Sequence, residues 1–123
     1  MDKSVEKITK IDIITRMNKF EELKEALNEI GVAGMTVTHV QGCGIQKGMT
    51  EIYRGNEYTV NLLPKVKVEI VIGETPVDLV VETAQRVLRT GKIGDGKIFI
   101  YPVENVIKIR TGEQGVAALQ NKA

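Results

Sequence analysis

The residues best suited to chemistry are gathered in one run, Thr90-Gly91-Lys92-Ile93-Gly94-Asp95-Gly96-Lys97-Ile98-Phe99. Glycine lets backbone N–H groups come close to an anion, and lysine supplies the countercharge. The run therefore reads as a phosphate cradle. Residues 91–97 also satisfy G-x-x-x-x-G-K, the opening of a Walker A loop. The next position is Ile98, where that loop needs a Ser or Thr hydroxyl for magnesium. The flanks are reversed as well, because a P-loop runs from strand to helix and here a helical pattern precedes a strand pattern. A nucleotide site is expected, without the chemistry of a P-loop NTPase.

Other reactive residues are sparse. Cys43 is the single cysteine, which excludes an internal disulfide and a multi-cysteine zinc site in one chain. It reads as a small loop residue, and the lone His39 reads as a strand residue. The segment from Gly42 to Gly48 is one residue off a G-x-G-x-x-G spacing and follows a strand, but no helical pattern comes after it. Seventeen basic and sixteen acidic side chains leave a net charge of +1, so no general affinity for nucleic acid or an anionic membrane is expected. No apolar run approaches the ~18 residues of a membrane span. The polar N-terminus lacks a signal-peptide pattern, and a cytoplasmic protein is expected.

The elements that must position the run can be read from periodicity. The 123 residues suffice for one domain, with a polar extension over 1–7, the domain over 8–118 and a tail over 119–123. Residues 8–15 are rich in β-branched side chains and predict a strand. Asn18 offers a helix N-cap, with Glu21 completing a capping box. Phe20, Leu23, Leu27 and Ile30 recur at helical spacing, and Gly31 stands where a C-terminal cap belongs. Residues 35–41 alternate as a second strand, and a third begins near Lys65, with Val66, Val68, Ile70 and Ile72 on one face. A second helix follows, with Thr75 as N-cap, Pro76 at its first position and Gly91 at its end. Residues 97–101 predict a fourth strand interrupted by Pro102, and 106–110 a short terminal strand. The order βαββαβ predicts an α+β, ferredoxin-like sandwich.

Residues 43–61 fill the place of a short hairpin with a long loop rich in glycine and charge, exposing Tyr53 and Tyr58. Loops beyond ~12–15 residues are usually functional or disordered. A partner-binding loop is expected, and a ribbon made by extending the two strands is the blander alternative.

Two motifs now give the chain a resemblance to the PII nitrogen-regulatory signal-transduction proteins. Tyr53-Arg54-Gly55-Asn56-Glu57-Tyr58 resembles the family's loop signature with one departure, Asn56, and the run from Thr90 is similar to its C-terminal signature with none. The likeness continues through Gln46-Lys47-Gly48, Leu63-Pro64-Lys65-Val66-Lys67 and Ile109-Arg110-Thr111-Gly112, covering essentially residues 8–118. It implies a homotrimer with nucleotide sites in the clefts between subunits, where ATP and ADP compete. It also implies that Mg2+-ATP admits 2-oxoglutarate as effector, and that the long loop (the T-loop, about 43–61) selects partners. Those partners would be ammonium transporters, nitrogen-assimilation enzymes or their regulators, the membrane being approached only through a transporter. Such a protein is a sensor and not a catalyst.

The resemblance also implies site residues. Gly94, Asp95, Gly96 and Lys97 would wrap the phosphates, with Lys92 nearby, and Lys108 and Arg110 would complete the charge from the neighbouring subunit. Thr36, Gly42, Gly44 and Val71 would line the base and ribose side. Gln46 would bind nucleotide and give a side-chain oxygen to magnesium. Lys65 would face the distal carboxylate of 2-oxoglutarate, with Arg16, Lys47 and Gly48 near that ligand. Tyr58 matches the tyrosine that is uridylylated in many bacterial members.

The chain departs from the family at Ile45 and Lys108, both commonly Arg, at Met17, a frequent Pro, and at Met49, a frequent His. Lysine at 108 replaces a bidentate contact by a point charge. Two other readings stay open: a divergent PII-like module without a 2-oxoglutarate response, to which Ile45 points, and an ATP-using enzyme with Glu51 or Glu57 as base or metal ligand.

Overall fold

Alternation divides the strands into two faces, and the helices cover one of them. A computed structural model describes residues 6–45 and 60–120. Its elements are β1 (Ile8–Arg16), α1 (Phe20–Glu29), β2 (Thr36–Ile45), β3 (Val60–Ile72), α2 (Val77–Leu88) and β4 (Lys97–Val103). The strands form one antiparallel sheet in the order β2-β3-β1-β4, the ferredoxin-like arrangement. Ile11 and Ile13 stand opposite Ile70 and Val68, so the period of two puts them on a common face. Leu23 and Leu27 of α1 and Val80, Ala84 and Leu88 of α2 close over that face. Each fully buried Leu, Ile or Val contributes about 1.5–3 kcal/mol.

The helix ends show which local signals the fold uses. Gly31, with φ +96°, ends α1 as expected. The Val32 N–H reaches the Leu27 carbonyl at 2.9 Å and the Gly31 N–H that of Asn28 at 3.0 Å, the paired bonds of a Schellman motif. The helix starts differ from expectation. Asn18 lies in a 3₁₀ turn, Met17–Lys19, and no side chain caps α1. Pro76, rather than Thr75, is the N-cap of α2, and that helix stops at Leu88 with Arg89 extended, ahead of Gly91.

The strand boundaries also move. Pro102 does not interrupt β4 but pairs with Thr9 inside it. Because β4 is an edge strand, the missing N–H can face solvent. Pro64 likewise sits within β3, beyond the point where β1 ends at Arg16, and pairs only toward Gln41. The β2–β3 ladder runs on to Ile45↔Val60, so residues 43–45 and 60–61 of the expected loop are ribbon. Residues 106–110 form no strand: Ile107 makes an isolated bridge to Gln114. The turn between them closes through Gly112 N–H to the Lys108 carbonyl at 2.7 Å. A 3₁₀ turn, Gly115–Leu119, follows, its Val116 N–H bonded to the Glu6 carboxylate at 2.9 Å. Among the described residues no helix is long and apolar enough to cross a membrane.

Candidate functional site

The glycine–lysine loop is fastened to the end of β1. Thr15 Oγ1 donates to the Asp95 carbonyl at 2.8 Å. The Arg16 guanidinium donates to Asp95 Oδ1 at 2.5 Å and to the Ile93 carbonyl at 2.8 Å. From inside the loop, the Thr90 and Gly91 N–H groups donate to Asp95 Oδ2 at 2.8 and 2.9 Å, and the Thr90 hydroxyl to Oδ1 at 2.5 Å. The Thr90 hydroxyl first, then Arg16 and the backbone donors, hold the Asp95 carboxyl far below the ordinary carboxylate range. Any contact of residue 95 with a phosphate is thereby left to its backbone. Gly96 has φ +110°, and a Cβ there would lie 1.9 Å from the Ile14 carbonyl oxygen. Only glycine fits so close to another strand's backbone.

The second wall is the β2–β3 ribbon. Lys65 stands opposite Arg16 across β1 and β3 and opposite Val40 across β2 and β3. Its ammonium donates to the Gly94 carbonyl at 2.9 Å, and a Cβ on Gly42 would lie 3.3 Å from Lys65 Cγ. Arg16, Gly42, Lys65, Gly94 and Asp95 therefore converge within one chain, although sequence separations reach 79 positions. Gly44 follows two residues along the ribbon, while Lys92 and Lys97 are exposed at the loop's two ends.

Thr36 and Val71 lie elsewhere along the same strands. With Glu69, Gly73, Leu119 and Gln120 they line an open cavity of about 770 Å3. Val71 is six residues from Lys65 on β3, which at strand rise is ~20 Å. Cavity and loop thus mark two ends of a track along β2 and β3. Lys108 and Arg110 do not alternate on a strand. The Lys108 ammonium donates to the Gln120 carbonyl at 3.0 Å and pairs with Glu113 at 3.4 Å, and Arg110 is exposed in the turn. Gln46, Lys47, Gly48 and Tyr58 lie outside the described residues.

On the uncovered sheet face, Lys10 bridges Glu69 at 3.0 Å and Asp12 at 3.7 Å, and Lys67 joins Glu69 at 3.6 Å. Lys67 is therefore paired within the chain. The bond to Glu69 raises the Lys10 ammonium's pKa, and the same bond lowers that of Glu69. Periodicity marked this face as polar but could not pair its charges. Thr15, which fastens the loop, was missed because it does not stand out from an ordinary strand threonine, and Thr90 was included in the run without its bond to Asp95 being foreseen.

The family model for nitrogen regulatory protein P-II matches residues 8–113. The chain belongs to the PII family. It is 56% identical over 110 residues to nitrogen regulatory protein P-II 1 of Escherichia coli strain K12, a match covering 89% of this chain and 98% of the relative. It is 53% identical over 110 residues to the nitrogen regulatory PII-like protein of Bacillus subtilis, covering 89% and 95%. Among solved structures, the GlnK–ATP complex of B. subtilis superposes with a TM-score of 0.81 at 51% identity, covering 92% of this PII chain and 98% of that one. Arabidopsis thaliana PII bound to citrate gives 0.75 at 35% identity, covering 96% and 94%. As a PII protein the chain is a nitrogen regulator, not an enzyme.

Proposed function

We propose that this PII protein binds ATP or ADP along β2 and β3, with phosphates at residues 94–97 and the base toward Thr36 and Val71. The observation that carries this reading is the 2.9 Å bond from Lys65 to the Gly94 carbonyl, which joins loop and ribbon into one site. Gly42 puts no side chain against Lys65, and Lys92 and Lys97 bring charge. Three or four charge-assisted bonds at ~1.5–3 kcal/mol suffice for micromolar affinity, about −8 kcal/mol. The relative solved with ATP supports a nucleotide, and the one solved with citrate shows that a PII protein takes a small polycarboxylate.

The site is completed by other copies in a homotrimer. Phe99, Ile100 and Tyr101 on the edge strand β4 are 41–53% exposed, and Ile109 is 98% exposed beside Arg110. Phe99 and Tyr101 share one face of this edge strand and Ile100 points to the other, and large apolar side chains exposed along an edge are what a partner subunit would cover. In this arrangement Lys108 and Arg110 serve the neighbour's phosphates, and Lys108 must leave Gln120 to do so. Mg2+ and 2-oxoglutarate enter together, the metal held by Gln46 and a keto acid that chelates through two oxygens. Lys65 faces the distal carboxylate, and Lys47 and Gly48 lie alongside. The T-loop then carries the state to an ammonium transporter or a nitrogen-assimilation enzyme or its regulator in the cytoplasm, with Tyr58 as a site of uridylylation.

Calorimetry with ATP, with and without Mg2+ and 2-oxoglutarate, tests the scheme. Binding of 2-oxoglutarate only in the presence of Mg2+-ATP is expected, since coupled sites must raise each other's affinity. Equal binding without nucleotide would sink it. A member that binds nucleotide but ignores 2-oxoglutarate is favoured by Ile45 and by the engaged guanidinium of Arg16, and the same titration separates the two.

A further inference from the structure

We infer that Arg16 is a positioning residue for the nucleotide loop, acting on ATP through Asp95 and Ile93. The inference rests on the nucleotide reading above. The guanidinium spans the loop: Nη1 holds the Asp95 carboxylate and Nη2 the Ile93 carbonyl, on either side of Gly94. The loop wraps it so closely that a Cβ on Gly94 would lie 2.9 Å from Nη2. Arg16 also stands opposite Lys65 across β1 and β3, and Lys65 takes the Gly94 carbonyl between those two acceptors. Three consecutive residues, 93–95, thus have an acceptor held by one of two adjacent cations. The planar fork matters, because a lysine at 16 offers one compact ammonium and cannot serve carboxylate and carbonyl with the same geometry.

Asp95 is the relay. One of its oxygens takes Arg16 and Thr90 Oγ1, while the other takes the Thr90 and Gly91 N–H groups. Arg16 thereby fixes both the start of the loop, through Asp95, and its middle, through Ile93. To reach an effector directly, the guanidinium must give up both bonds, leaving Asp95 without its cation and a loop carbonyl without its donor. Its service to the loop comes first and is made in the absence of any effector.

The test uses the full chain and ATP alone, with no 2-oxo acid present. Arg16→Gln should weaken ATP binding about tenfold in calorimetry, the scale of one bond to a charged group. Arg16→Lys should restore part of the loss. Asp95→Asn should weaken binding similarly, and the double variant should be no worse than the weaker single, because both break one unit. Hydrogen exchange of the nucleotide-free protein gives an independent reading: the Gly91 amide should lose protection in Arg16→Gln. A folded Arg16→Gln that binds ATP like the wild type overturns the inference, as do fully additive losses. If Arg16→Gln does not fold, Arg16→Lys decides, a loss of about threefold supporting the role and unchanged affinity ending it. Wild-type protein that binds no ATP overturns the nucleotide reading and this inference together, whereas normal wild-type binding with an indifferent Arg16→Gln overturns this one alone.

Discussion

Two glycine-bearing segments meet at Lys65, and they are held in opposite ways. Residues 42–44 lie extended in β2, each paired across the ribbon to β3. Residues 94–96 lie in a loop that makes no ladder and is fastened by side chains, with Thr15, Arg16, Lys65 and Thr90 as donors. In the ribbon, glycine provides room beside a flexible lysine; in the loop, Gly96 touches the backbone of β1. Both segments look alike in composition. What separates them is whether a neighbouring group can yield.

The sharpest way to break this comparison is Gly96→Ala. A Cβ 1.9 Å from the Ile14 carbonyl, at φ +110°, cannot be relieved by a rotamer change, so loop or strand must move. Destabilisation of about 3 kcal/mol or more is expected, read by urea denaturation at fixed protein concentration. A near-neutral result would mean that the loop packs against β1 far more loosely than its bonds indicate.

Lys65→Gln comes next and concerns the junction itself. The variant keeps a donor for the Gly94 carbonyl but removes the charge. Binding of 2-oxoglutarate in the presence of Mg2+-ATP should fall at least about tenfold, and ATP binding by less, since in the proposed site its phosphates retain Lys92 and Lys97. Equal losses for both ligands would place Lys65 among the phosphate contacts.

Acid sharpens the contrast further, because of the two segments only the loop is fastened through a carboxylate. The Asp95 carboxyl is held below its unfolded value of about 3.9. Its contribution to stability is therefore complete above that pH and is lost as pH falls toward the folded value. The melting-temperature gap between wild type and Asp95→Asn should be constant from about pH 8 to pH 5 and narrow below about pH 4. A gap that changes near neutrality would point to another group.

These contrasts also explain what could be read from sequence. The alternation of Val66, Val68, Ile70 and Ile72 and the Gly31 cap are local signals, and both lead to the observed elements. Pro102 misled because a proline is compatible with a strand only at an edge, and edge position is a property of the whole sheet. The ribbon over residues 42–45 carries too little apolar alternation to reveal itself. Asp95 was recognisable as a site residue from its motif, but its partner Arg16 is 79 positions away, and no spacing rule reaches that far. Lys108 was placed on a strand that the Gly112 turn prevents, and its bond to Gln120 depends on how the chain end folds back.

Gly42→Ala is the smallest perturbation and the most discriminating control. The added methyl meets Lys65 Cγ at 3.3 Å and Cε at 3.6 Å, contacts that a flexible side chain relieves by moving a few tenths of an ångström. Within a strand, alanine also loses less backbone entropy on folding than glycine. Stability should therefore change by no more than about 0.5–1 kcal/mol, against the larger loss at Gly96. The Lys65 ammonium, pushed from the Gly94 carbonyl, should nevertheless weaken ligand binding about two- to threefold. A variant of native stability with reduced binding would show that the ribbon glycine serves the site. If stability fell as far as in Gly96→Ala, the ribbon would be as rigidly packed as the loop, and the distinction between the two segments would disappear.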